Sequence, residues 1–165
     1  AQNKLRQHPP NFGVMRVGYS VESNREAELL AMRLIRAAGG YHGMIYFEFK
    51  RDPRDERLKL IEANVRVARF GMLPTQAGVN FPELMYRDLV RGEILRQRNG
   101  QSGVWYIEII PDLYYTWLQR NRRLYPWREK LRPYRAARKV FGDFDARDVA
   151  PFFRQLRNGF RRCGL

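Results

Sequence analysis

Two runs of alternating residues, Met44 to Lys50 and Leu58 to Arg66, flank a short charged turn, and they constrain the fold more than any other part of the chain. In the first run Met44, Tyr46, Glu48 and Lys50 point one way while Ile45, Phe47 and Phe49 point the other, because successive side chains of an extended strand alternate in direction. The intervening residues hold Asp52-Pro53, a turn signal in which proline presets φ and the aspartate bonds the backbone ahead of it. A hairpin is the simplest connection. In the second run Leu58, Leu60, Glu62, Asn64 and Arg66 share a face by period two, with Lys59, Ile61 and Ala63 opposite. Antiparallel pairing then sets Glu48 near Glu62, and like charges across a strand pair destabilise it unless something cationic lies between them.

A divalent ion supplies that charge. Magnesium prefers oxygen ligands in octahedral geometry and takes one or two protein carboxylates, with water and nucleotide phosphates completing the shell. Glu48, Glu62 and the Asn64 amide oxygen suit it. Arg66, two positions beyond Asn64, would aim a bidentate donor at phosphoryl oxygens and stabilise charge developing in transfer. An exposed sheet face laddered by Glu48, Glu62, Lys50 and Arg66 as ordinary cross-strand ion pairs satisfies the same spacing. Residue type and spacing leave both readings open.

The segments E-F-K-R-D-P-R, from Glu48, and L-I-E-A-N-V-R, from Leu60, resemble the second half of an ATP-grasp domain, in the carbamoyl-phosphate-synthase-like group of carboxylate ligases. The resemblance runs from about Lys4 through Gly78-Val79, and Glu-x-Asn-x-Arg at Glu62, Asn64 and Arg66 is its most specific part; Val65 stands where many members have proline. It implies Glu48, Glu62 and Asn64 as Mg²⁺ (or Mn²⁺) ligands and Arg66 as the contact to the transferred phosphoryl group. It implies ATP as cofactor, with a small-molecule carboxylate and an amine joined through an acyl phosphate. The expected fold is α+β, an antiparallel sheet with flanking helices like the C-terminal lobe of that domain, plus a helical basic C-terminal extension. Residues 1–113 are expected to form the lobe and 114–165 the extension packed on it. The lobe bearing the family's nucleotide-contacting lysines would lie before Ala1, and Lys4 to Phe12 reads like interior sequence. The chain is thus expected to be a fragment, partnered by the parent's N-terminal lobe and nearly inactive alone.

Other segments read as scaffold. Phe12 to Glu22 alternates and suggests one or two strands, in which Arg16 faces either solvent or a phosphate. Ser23 to Glu26 is a capping box opening a helix through about Ala38, with Ala27, Leu30, Ala31, Leu34 and Ile35 as its buried stripe and Gly39-Gly40 ending it. Asn80 caps a second helix, Phe81 to about Gly92, with Leu84, Met85 and Leu89 inward. Val104 to Ile110 reads as a strand ended by Pro111-Asp112. His8 and His42 belong to no metal-ligand spacing, and the lone Cys163 is a reduced thiol with no internal partner. No apolar run approaches the roughly 18 residues of a membrane span, and nothing marks export, so the cytoplasm is the expected location.

The final third differs in character. Residues 114–165 hold 14 basic against 4 acidic side chains, +10 of the net +14, interleaved with aromatics. The alternative function is therefore a non-catalytic basic module that binds nucleic acid or an anionic membrane surface. Against it, no nucleic-acid motif is present, aromatics at helical spacing usually form core, and 26 Arg against 5 Lys points to residue usage across a proteome. Nucleic acid is not the expected partner.

Overall fold

Glu22–Gln101 forms one compact unit of the chain, and Gln2–Val21 with Ser102–Leu165 forms another, in a computed structural model that describes residues 1–10, 12–93, 99–118 and 124–162. They are the middle and flanking units by place in the sequence. The division falls at 21/22 and 101/102, so residues 114–165 belong with the first two strands rather than standing apart from residue 113.

In the flanking unit Gln2–His8 (β1) and Val14–Ser20 (β2) pair antiparallel, and Trp105–Ile107 (β5) pairs antiparallel with β2. Gly13 closes the β1–β2 turn, where a Cβ would collide with the carbonyl of His8. The fourth strand, Lys139–Phe141 (β6), lies parallel to β5, giving the order β1-β2-β5-β6. The class is mixed α and β, yet the expectation of a wholly antiparallel sheet and a wholly helical 114–165 segment is corrected by β6. A parallel neighbour needs a long crossover, here built from Ile109–Leu113 (α4), a π-helical turn at Tyr114–Leu118 and Trp127–Arg135 (α5). Ala150–Arg162 (α6) follows.

The strand expected over Val104 to Ile110 is only three residues long. Asp143 accepts the backbone N–H groups of Ile109 and Ile110, both at 2.8 Å, and so starts α4 where β5 stops. Pro111 and Asp112 lie inside that helix rather than ending a strand; proline lacks the N–H that a first helical turn leaves unbonded. Burial pushes the Asp143 carboxyl up, against the opposing pull of the two N–H donors.

Val17, Trp105 and Ile107 are the buried centre, packed by Leu5, Tyr19, Ile109, Tyr134, Ala136 and Phe141. A charged pair runs through this region. Arg6, 2% exposed, sends Nε and Nη2 to the two carboxylate oxygens of Asp112 at 2.6 and 2.7 Å. Asp112 also accepts the hydroxyls of Thr116 (3.0 Å) and Tyr134 (2.7 Å). Burial and Asp112 hold the Tyr134 phenol well above its usual range. Arg16 is half-buried and meets Glu108 at 2.5 Å, and Glu108 also accepts the Tyr106 hydroxyl at 3.1 Å. Phe141, Phe144, Phe152 and Phe153 make successive edge-to-face contacts, placing part of the aromatic final third in packing.

The middle unit holds Arg25–Ala37 (α1), Tyr46–Arg51 (β3), Leu58–Asn64 (β4), Met72–Gln76 (α2) and Phe81–Leu89 (α3). Asn24 caps α1, accepting the Ala27 N–H at 3.1 Å, one residue later than the capping box placed it; Ser23 instead donates to the Glu28 carboxylate. No α1 residue is buried, so its apolar stripe is half-covered at most, and Leu34 is exposed. Gly39 and Gly40 end the helix at positive φ. Asn80 caps α3 through the Glu83 N–H, and Leu89 is exposed rather than inward. Phe70, Leu73, Ala77 and Val79 are the unit's buried residues. His42 pairs with Asp88 at 2.8 Å. Cys163 lies outside the described residues. Among the described residues no helix is long and apolar enough to cross a membrane.

Candidate functional site

The β3–β4 hairpin pairs in the register Tyr46↔Asn64, Phe47↔Ala63 and Glu48↔Glu62, then steps to Phe49↔Leu60, Lys50↔Lys59 and Arg51↔Leu58. Glu48 and Glu62 are thus direct cross-strand partners. Opposed residues in an antiparallel pair stand on one face with Cβ atoms ~5 Å apart, so the two carboxylates and the Asn64 amide share that face. Tyr46 completes it, its ring packed edge-on against Phe70 at 5.2 Å between centroids.

The step in register leaves Ile61 without an opposite residue, a β-bulge. It overturns the strict period-two reading of β4. Beyond the bulge Leu58 and Leu60 lie with Phe49 and Arg51 on the other face, and Lys59 moves to the face of Glu48 and Glu62, opposite Lys50. A regular ladder would have placed Leu60 on the face of Glu62, whereas the bulge sets it opposite Phe49, on the face where the Phe47 and Phe49 rings lie 6.0 Å apart, and leaves Ile61 58% exposed. Lys59 is the residue that alternation missed. Its signal in the sequence is Leu60-Ile61, two adjacent apolar residues that break the alternation.

Arg66 is not carried onto the face by the strand. β4 ends at Asn64, and Arg66 lies in the bend that follows, exposed, with Nη1 3.4 Å from the Val67 carbonyl. Among the described residues it makes no ion pair.

The turn at the far end of the hairpin is closed on itself. Arg54 grips both oxygens of Asp52 at 2.9 and 2.7 Å, and its side-chain and backbone hydrogen bonds hold the Asp52 carboxyl at a pKa of about 2. Lys59 reaches Asp55 at 2.7 Å, which lowers the Asp55 pKa. Arg51 bonds Glu26 at 2.8 Å and the Glu56 carbonyl. Asp52 and Asp55 are therefore each paired within the turn, and the candidate face is an acidic rung at Glu48–Glu62 beside a basic rung at Lys50–Lys59. Among the described residues no three His, Cys, Asp or Glu side chains gather as a metal-holding group; the candidate set is two carboxylates and one amide oxygen.

Comparison with family models, with curated proteins and with solved structures found no match.

Proposed function

We propose that Glu48, Glu62 and Asn64 hold a divalent cation, Mg²⁺ or Mn²⁺, and that the chain is the metal- and phosphate-binding part of an ATP-dependent carboxylate–amine ligase of the ATP-grasp kind. One observation carries the reading: Glu48 stands directly opposite Glu62, with Asn64 two residues on along the same face. The donor set is all oxygen, which fits a hard cation, and its small size fits an ion that keeps water and phosphate oxygens in its shell. Bound there, the ion would neutralise nucleotide phosphate oxygens.

The residues of the chain divide the work. Glu48 and Glu62 fix the position of the charge, and Asn64 supplies a neutral third oxygen without adding repulsion. Arg66, in the bend two residues beyond Asn64 and with no carboxylate partner among the described residues, would meet the transferred phosphoryl group with its planar fork. In such ligases ATP phosphorylates the substrate carboxylate, and the amine then displaces phosphate from the acyl phosphate.

The test is a Mn²⁺ titration read by electron paramagnetic resonance, with and without ADP, on the chain and on Glu62→Gln. Saturable loss of the free Mn²⁺ signal, strengthened by ADP and abolished by Glu62→Gln without change in far-UV circular dichroism, is the expected result. Equal binding by both proteins, or none by the wild type with ADP, overturns the assignment.

A further inference from the structure

Three arginines share the exposed side of α5. Arg128, Arg132 and Arg135 are spaced four and three residues apart, which sets them on one stripe of the helix spanning about 10 Å of its length, and all three are exposed. With Trp105 and Ala136 they line an open cleft of about 470 Å³. Among the described residues none of the three pairs with a carboxylate. The Arg132 guanidinium lies 5.4 Å from the centre of the Trp105 ring, which lays its stem along the floor of the cleft. Trp127 opens the helix, 58% exposed, with the Arg128 guanidinium 5.6 Å from its ring centre.

We propose that this face, Arg128, Arg132 and Arg135 with Trp127 at its start, binds the phosphate backbone of single-stranded nucleic acid. The flanking unit holds 17 basic against 6 acidic side chains, so +11 of the net +14 sits on it. Two of those six acids, Glu108 and Asp112, are engaged with Arg16 and Arg6 in the interior, and a third, Asp143, caps α4. The acidic residue on α5 itself is Glu129, one position from Arg128 on the flank of the stripe. Guanidinium forks match phosphate oxygens bidentately, and an exposed indole offers a stacking face to any base. A shallow cleft lined by charge over about 10 Å suits an extended polyanion better than a compact ligand. Nor does α5 offer a membrane an apolar face to insert, since Lys130 and Pro133 are buried and Leu131 and Tyr134 half-buried. Spaced charge gives backbone contact without base readout, which accounts for the lack of any sequence motif. The face lies in a different unit from the hairpin, so this assignment stands or falls apart from the metal site.

Fluorescence anisotropy with a labelled oligothymidylate of about a dozen nucleotides, over roughly 50–300 mM salt, decides it. The variant R128Q/R132Q/R135Q keeps the side-chain stems over Trp105 and removes three charges. At about 0.7 of a counterion per single-strand phosphate contact, the slope of log affinity against log salt should become shallower by about 2, and binding near 0.1 M salt should weaken on the order of 100-fold. R33Q/R36Q/R57Q, three exposed arginines of the middle unit, removes the same net charge and should leave the slope unchanged. Trp127→Ala should weaken binding roughly tenfold with the salt slope intact. Equal losses in the two triple variants would reduce the effect to net charge and overturn the site. So would inorganic triphosphate displacing the oligonucleotide at equal phosphate concentration, or α5-dependent binding to anionic vesicles with oligonucleotide binding unaltered.

Discussion

Asp112→Asn removes one charge from the centre of the flanking unit and leaves the shape almost unchanged. Arg6 and Asp112 have side-chain exposures of 2% and 0%, and four hydrogen bonds converge on the two carboxylate oxygens. In the variant the amide NH₂ must face either Arg6 Nη2, on the side shared with the Tyr134 hydroxyl, or Arg6 Nε, on the side shared with the Thr116 hydroxyl, donor against donor in both cases, and the guanidinium stays buried without a counter-charge. Breaking a buried pair on one side costs about 3–5 kcal/mol, a large part of the roughly 5–15 kcal/mol that holds a domain folded. With an m-value of about 2 kcal/mol/M, the urea midpoint should fall by roughly 1.5–2.5 M. Far-UV circular dichroism and tryptophan fluorescence followed together would measure it. The combination R6M/D112L/Y134F should lose far less than Asp112→Asn alone, since an apolar replacement of the whole cluster leaves no buried ion behind. A single-variant loss under about 1 kcal/mol, or strictly additive effects of Arg6→Met and Asp112→Leu in a double-mutant cycle, would refute the reasoning.

His8 stacks on Tyr115 with centroids 3.5 Å apart and planes 8° from parallel, its Nδ1 has no hydrogen-bond partner among the described residues, and burial and then Arg16 lower its pKa. Its NMR titration should give a midpoint below 6.5, and stability, fully present above that pH, should fall as pH drops through the window beneath it; a midpoint at or above 6.5 would contradict this. Deleting Ile61 should convert β4 into a regular ladder with Glu48 still opposite Glu62, retaining Mn²⁺ binding; loss of that binding with the hairpin intact would show that the register observed is not the one that makes the site.

Features encoded within a few residues were the ones the sequence disclosed. The hairpin follows from two alternating runs around Asp52-Pro53, and the helix starts at Asn24 and Asn80 follow from cap chemistry, with a one-residue error at the first because Ser23 and Asn24 are both good caps. Long-range pairing was hidden. Arg6 and Asp112 are 106 residues apart, and each reads by itself as a surface charge, so neither the burial of Arg6 on β1 nor Pro111-Asp112 as part of a helix could be inferred locally. β6 is three residues, too short for any periodicity, and exists because β5 offers it an edge.

The candidate site divides along the same line. Opposition of Glu48 and Glu62 depends on strand direction and turn length, both local, and the acidic rung was legible. Which other residues stand on that face depends on the register beyond Glu62, and the bulge at Ile61 sets it. Regular pairing would leave Leu60 on the acidic face; with Ile61 bulged, Leu60 stands opposite Phe49 and Lys59 crosses over to stand opposite Lys50. The consequence is chemical. A carboxylate rung fit for a cation acquires a neighbouring ammonium rung, one of whose members is held by Asp55 in the turn, while Arg66, beyond the last paired residue, is placed by a bend rather than by the sheet. The acidic rung and the basic rung thus come from two different local rules acting on one short hairpin.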